Sequence, residues 1–417
     1  MDEGIGDLAV GDVLVSGDRI AAVGPDLGDT APADTTVINM SGKIVLPGMV
    51  DGHRHSWQCL FRRMTPDVDS TDAYGALYLQ SLAPAYRPED IYAANLLTAL
   101  GCLDSGVTCL LDFSHNSRSA EHSDAAIQGL IDSGIRGVHA SMAPMYGDWA
   151  GQWPGDLDRL KQTYGTAHDS LIRVRMGVLG HPYGGEFTAL SAERVEFARD
   201  LEMPVTSDGS TGGIAAATIE RLDDSGLLTP DITLVHCLDL TERAWGAIRA
   251  HDIPVVLAPT SDMQIGIGSA VLPIPQIREL GVRTGISVDV EVALATDLFA
   301  QMRCLLTTHR ALVFELRHRG EDYPVPLSSR DALRSATIDG ARANGLEDVT
   351  GSLTPGKQAD IIAIDASAIN NMPLNNAVGT VVLGSDPRNI TMVMVAGMMR
   401  KWGNQLVGVD IEHVGDL

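Results

Sequence analysis

Basic side chains are scarce in this chain of 417 residues: 30 lysines and arginines stand against 54 aspartates and glutamates, for a formal charge of -24. A surface of that sign repels phosphate backbones and anionic lipid, which argues against nucleic-acid and membrane roles. No apolar run approaches the roughly 18 residues that a membrane-spanning helix needs. Cysteine is sparse as well. Cys59, Cys102, Cys109, Cys237 and Cys304 form an odd, scattered set with no C-x-x-C spacing, which excludes a disulfide framework and reads as reduced thiols of a cytoplasmic protein. The acidic start, Met1-Asp2-Glu3-Gly4, lacks the apolar stretch of a signal peptide and adds to the cytoplasmic expectation. Internal repeats and low-complexity segments are also missing. What remains is a chain 45% hydrophobic, long enough for a large core and a smaller satellite domain.

The two ends share one grammar. Asp12–Val15 and Arg19–Gly24 are β-prone segments joined by Ser16-Gly17-Asp18, the pattern of a hairpin. Asp360–Asp365, Thr380–Leu383 and Met392–Gly397 have the same character, so both ends are expected to build one small β-sandwich. The middle alternates differently. Candidate strands are Lys43–Val50, Val107–Phe113, Ile135–Ala140, Ile172–Gly180, Pro204–Ser207, Ile232–His236, Pro254–Leu257 and Arg283–Asp289. Helical stretches lie between most of them, such as Pro88–Leu103, Ser191–Leu201, Ile214–Leu222 and Thr241–Ala250. Strands alternating with helices in this way predict an α/β fold, a (β/α)₈ TIM-like barrel over 46–346, flanked by sandwich halves at 1–45 and 347–417. The rival, a doubly wound sheet, wants a glycine-rich phosphate loop after its first strand, and there is none.

A barrel of this kind places its chemistry at the C-terminal ends of the strands. Those ends read Asp51-Gly52-His53-Arg54-His55, Asp112-Phe113-Ser114-His115, Gly180-His181-Pro182, Ser207-Asp208-Gly209, His236-Cys237 and Asp289. Five of the 12 histidines fall there, which a random surface scatter would not produce. On an extended strand residues i and i+2 face the same way, so His53 and His55 can enter the barrel mouth together and offer a divalent metal, Zn or Fe with Mn as an option, two imidazoles. Asp289 is expected either to complete that ligand set or to accept a proton as a catalytic base. The bland readings are solvated or core histidines, and for His139 a core position on strand three is the preferred one.

Pro47-Gly48-Met49-Val50-Asp51-Gly52-His53-Arg54-His55 resembles the strand-one signature of the amidohydrolase superfamily, in its cytosine-deaminase-like and chlorohydrolase-like branch. The likeness continues through Ser56-Trp57-Gln58, Ser105-Gly106-Val107-Thr108, the segment from His236 to Thr241, Ala258-Pro259-Thr260-Ser261-Asp262 and the stretch from Gly351 to Asp360. It implies one metal held by the strand-one histidines, a strand-five histidine and the strand-eight aspartate, with the strand-six histidine polarising substrate or water. Residue by residue, His53, His55 and Asp289 match the ligands and His236 the polarising group. A water molecule activated at such a centre serves deamination, amide hydrolysis and dechlorination alike. The chain has only Lys43, Lys161, Lys357 and Lys401, none at a strand end, so a two-metal site built on a modified lysine is not expected.

One motif departs from the family. Where strand five should carry His-x-x-Glu, Asp208 and Thr211 stand instead. Asp208 can still bind metal as a carboxylate, giving a harder, more anionic set that leans toward Fe or Mn. Thr211 cannot shuttle protons, a service typically worth about 10²–10⁴-fold in rate, so His115, His181 or Asp208 would have to provide it. Three readings follow: a metal-dependent hydrolase, deaminase or related C–N hydrolase, of a small cyclic substrate; a lyase, isomerase or cyclase on the same barrel with weak or no metal; and a non-catalytic binder. Trp57, Gln58 and His181 are candidate substrate contacts, Trp57 belonging to an aromatic set with Phe61, Tyr74, Tyr78 and Tyr86 that lines a pocket, forms a dimer face or packs as core. Relatives usually extend beyond both ends seen here, so the sandwich is expected to leave an edge that a second copy covers, making a homodimer.

Overall fold

A computed structural model describes residues 1–29, 31–165, 170–182 and 185–417. Its centre is an eight-stranded parallel sheet running in chain order from β4 to β11. The strands are β4 (Met49–Arg54), β5 (Val107–Ser114), β6 (Arg136–Ser141), β7 (Ile172–Leu179), β8 (Val205–Asp208), β9 (Ile232–Val235), β10 (Val255–Leu257) and β11 (Thr284–Ile286). Helices cover the outside, so the strands are buried on both faces and read as near-continuous apolar runs. In β5 every residue of Val-Thr-Cys-Leu-Leu-Asp-Phe-Ser is buried. The seam between the last and first strands closes through a bridge, Arg54 to Asp289, formed by His55 N–H to the Asp289 carbonyl at 2.9 Å and Asp289 N–H to the His53 carbonyl at 3.2 Å. The expected barrel is present.

The chain ends build the second body. A hairpin of β1 (Asp12–Ser16) and β2 (Arg19–Gly24) lies against a five-stranded antiparallel sheet of β3 (Lys43–Pro47), β12 (Ile361–Asp365), β13 (Ile390–Val395), β14 (Met398–Trp402) and β15 (Gln405–Leu406). Ile20 packs with Ala359, Ile361, Ala363 and Met392 between the two layers. Two expectations need correction. Lys43–Val50 is not one strand: β3 pairs with β12 in the satellite sheet, and the chain breaks at Gly48 before starting β4. A side chain at Gly48 would put its Cβ 2.0 Å from Thr108 Oγ1, so only glycine lets β3 pass into the barrel this close to β5. Thr380–Leu383 is not a strand either but lies within a helical turn, Thr380–Gly384; Val381 and Val382 face the core on consecutive positions, and that short apolar run carries no period of its own.

A buried ion pair joins the two bodies. Arg136, at the start of β6, donates to Asp360 through Nε at 2.8 Å and Nη2 at 2.9 Å, and Asp360 Oδ1 also accepts the Ala396 N–H at 2.8 Å. Both side chains are almost wholly shielded from water. Removing one partner of such a pair strands the other charge, a loss of about 3–5 kcal/mol. Arg136→Ala is therefore expected to lower unfolding free energy by that amount in a urea titration, and a loss under ~1 kcal/mol would mean the pair does not tie the bodies together.

Candidate metal centre and active site

The extended end of β4 sends His53 and His55 to the same face, with their Nε2 atoms 3.2 Å apart. The barrel seam places Asp289 beside them, at a positive φ of 68°. Asp208 is the last residue of β8, its Oδ1 accepting the following Gly209 N–H at 2.6 Å. His236 follows β9 directly, again at a positive φ, 73°. A non-glycine residue in that conformation carries roughly 1–3 kcal/mol of strain and persists only where its surroundings hold it, a pattern that gathers at functional sites. All five side chains are buried.

Their donor atoms converge. His53 Nε2 lies 3.5 Å from Asp208 Oδ1 and 3.4 Å from Asp289 Oδ1. His55 Nε2 lies 3.5 Å from Asp208 Oδ2 and 3.1 Å from Asp289 Oδ1. A tetrahedral ion with bonds of 2.0–2.1 Å holds its ligand atoms ~3.3 Å apart, so this spacing fits one. Tautomers point the same way. The His55 Nδ1 meets the Phe113 carbonyl at 3.3 Å, an acceptor, so Nδ1 carries the proton and Nε2 turns a lone pair toward two carboxylates. Lone pairs gathered around one point repel unless a cation or protons sit among them. Among the described residues the Asp289 Oδ1 has no hydrogen-bond donor of its own, while its Oδ2 accepts from Ser261 Oγ at 2.5 Å. The residues present fit a divalent metal.

The Amidohydrolase family model matches residues 205–399. Over nearly its whole length the chain is also similar to curated relatives. It is 24% identical to a 5'-deoxyadenosine deaminase of Methanosarcina acetivorans, covering 99% of this chain and 93% of that one. It is 27% identical to a 5-methylthioadenosine/S-adenosylhomocysteine deaminase of Teredinibacter turnerae, covering 92% and 86%. The family model and these relatives liken the chain to the amidohydrolase superfamily. Solved structures share the fold: a zinc-bound adenosine deaminase from Xanthomonas campestris superposes with a TM-score of 0.82 at 22% identity, over 97% of this chain and 91% of that one. A zinc complex of atrazine chlorohydrolase from Arthrobacter aurescens gives 0.84 at 21%, over 100% and 96%.

Against the amidohydrolase pattern, the strand-five substitution has a clear structural outcome. Asp208 reaches the cluster, within 3.2 Å of His236 Nε2 through Oδ1. Thr211 sits at the N-terminus of the helix Gly212–Asp224, and its side chain makes no capping bond. The carboxylate nearest the strand-six histidine comes instead from Asp262, whose Oδ1 lies 2.6 Å from His236 Nδ1. Burial alone would lower the His236 pKa, but the Asp262 charge and the bonds to Asp208 and Asp262 raise it well above the ordinary value. Sequence patterning assigns no role to Asp262 or Ser261. Both follow the end of β10, and the strand-end rule applied there, where no histidine draws the eye, finds them.

The other candidates divide. His115 is buried with its ring 4.3 Å from that of His55 and 5.5 Å from that of Trp57. Neither of its ring nitrogens has a hydrogen-bond partner among the described residues, and burial pushes its pKa well below the usual range, which favours the neutral imidazole. Among the described residues the buried Trp57 Nε1 is unpartnered, and Gln58 donates to the Tyr74 hydroxyl at 2.5 Å while its Oε1 stays unpartnered. Trp57, Phe61, Tyr78 and Tyr86 pack edge to face or tilted against one another, a wall beside the site. His181 is half-buried just past β7, leading into residues outside the described set. His139 is a core residue bonded through Nδ1 to Asp112 at 3.0 Å.

Proposed function

We propose that this chain is a metal-dependent hydrolase that removes an amino group, or cleaves a related C–N bond, from a small cyclic substrate with water as the nucleophile. The observation that carries the reading is the convergence of imidazole nitrogens and carboxylate oxygens from β4, β8 and the strand-eight end on one point. His53, His55, Asp208 and Asp289 would hold one divalent ion, Zn, Fe or Mn. When bound, such an ion supplies Lewis acidity that brings the pKa of water toward neutrality. His236, its Nδ1 anchored on Asp262, presents Nε2 as the atom that holds or passes a proton at the reacting centre. Asp289, fixed through Ser261, keeps Oδ1 as the oxygen with which it would bind the ion or take a proton.

The remaining polar atoms would meet the substrate. His115, Trp57 Nε1 and Gln58 Oε1 are buried without partners among the described residues, and unpaired buried groups are costly unless a ligand satisfies them. An aromatic wall and a few polar atoms suit a planar ring bearing an amino group. His181 would complete the contacts from the β7 side. No described helix is long and apolar enough to cross a membrane, and all five cysteines are free; a cytoplasmic homodimer without nucleic-acid or membrane partners belongs to the same reading.

Ammonia release from a panel of aminopurine nucleosides, aminopyrimidines and aminotriazines tests this directly. At least one member is expected to lose ammonia, with activity abolished by a chelator and restored by Zn²⁺, Mn²⁺ or Fe²⁺. Turnover that takes up no water and releases no amine, or that survives complete metal removal, would point instead to the lyase, isomerase or cyclase alternative.

A further inference from the structure

Between the two strand-one histidines stands Arg54, and it faces the opposite way from both. Its guanidinium is buried and held at both ends. Nε and Nη2 donate to Asp51 Oδ2 at 2.9 and 2.6 Å, and Nη1 donates to Glu291 Oε1 at 2.6 Å. Nη2 also reaches the Thr296 carbonyl at 3.3 Å. The second oxygen of Glu291 takes a bond from Arg62 Nε, and its backbone carbonyl accepts the Arg63 N–H at 3.0 Å. Asp51 and Glu291 are as fully buried as Arg54, while Arg62 lies partly open to solvent.

This network straddles the seam at the candidate metal centre. Asp51 and Arg54 bracket His53, and Glu291 lies two residues beyond Asp289. The seam itself is thin: β11 ends at Ile286, and beyond it, among the described residues, Asp289 is held to β4 by the bridge at Arg54, which consists of two backbone hydrogen bonds. The Asp289 backbone also sits in the left-handed region, at a φ of 68°, a conformation uncommon for any residue but glycine. Something must hold it there.

We infer that Glu291, clamped by Arg54 and Arg62, is a positioning residue for the metal centre: it locks the strand-eight end to strand one, so that Asp289 meets His53 and His55 at ligand spacing. The inference rests on the metal reading above. Outer partners of metal ligands typically change affinity by about 10–100-fold, and Glu291 acts on the backbone that carries a ligand. A buried arginine and a partly buried one against two buried carboxylates are otherwise a poor source of stability, since apolar groups of the same volume do as well.

The test is Zn²⁺ affinity of full-length, chelator-stripped protein, measured by competition with a chromophoric chelator, alongside the visible spectrum of the Co²⁺-loaded form. Glu291→Gln keeps the shape and removes the charge; it is expected to weaken Zn²⁺ binding by about 10–100-fold and to alter the Co²⁺ bands, which report ligand geometry. A lower melting temperature with unchanged Zn²⁺ affinity and an unchanged Co²⁺ spectrum would reduce the network to a structural brace and overturn the inference. If Glu291→Gln does not fold, Arg62→Ala, which trims the clamp at its exposed end, is expected to weaken Zn²⁺ several-fold, and no change there overturns it equally. Wild-type protein that takes up no Zn²⁺ or Co²⁺ would sink the metal reading and this inference together, whereas wild-type binding matched by the variant sinks this one alone.

Discussion

Replacing His53 with alanine is expected to abolish tight metal binding and reduce turnover to background. His53 Nε2 faces three of the other donors, at 3.2 Å from His55, 3.5 Å from Asp208 and 3.4 Å from Asp289. Its loss leaves one imidazole and two carboxylates, and the affinity should fall further than the roughly 10–100-fold seen for residues that only support a ligand. The effect can be read without a substrate. A ligand at 100 times its dissociation constant stabilises the folded state by about 2.7 kcal/mol, so saturating Zn²⁺ should raise the melting temperature of the wild type and leave His53→Ala unmoved. Equal metal-induced stabilisation in both would show that the ion binds elsewhere.

The second large effect is expected at Asp262, and it separates catalysis from metal binding. Asp262 touches His236 Nδ1 at 2.6 Å and none of the four proposed metal ligands by a hydrogen bond. Asparagine keeps the shape but can turn an N–H toward the imidazole and favour the other tautomer, with the proton moved to Nε2. Loss of a positioned acid–base group typically lowers rate by about 10²–10⁴-fold. Asp262→Asn should therefore cut kcat by about that factor while metal content stays at the wild-type level. If kcat falls by less than ~3-fold, the His236–Asp262 pair is not the route by which protons move, and His115 becomes the group to examine. The choice matters because Thr211 stands where a glutamate would otherwise supply this service.

Much of this arrangement is legible in the amino-acid sequence. The eight barrel strands stand out because a parallel sheet covered on both faces needs continuous apolar runs, and their C-terminal ends then mark His53, His55, Asp208, His236 and Asp289. The β3–β4 break is hidden because Lys43–Val50 is apolar almost throughout, and nothing in its pattern says that two halves serve different sheets. Thr380–Leu383 misleads for a related reason, four apolar or β-branched residues being too few to show a period. Asp262 stands in a segment that carries the resemblance and at a strand end, but no role is assigned to it from sequence because its partner, His236, lies 26 residues away in the chain and meets it at 2.6 Å in the fold. Likewise the Arg54–Glu291 pair spans 237 residues.

Crystals grown with Zn²⁺ or Mn²⁺, and diffraction collected at the absorption edge of that metal, would test the central assignment most directly. One strong anomalous peak is expected per chain, within ~2.0–2.2 Å of ligand atoms from His53, His55, Asp208 and Asp289. A map with no peak among those side chains, or with its peak at another cluster, would contradict it.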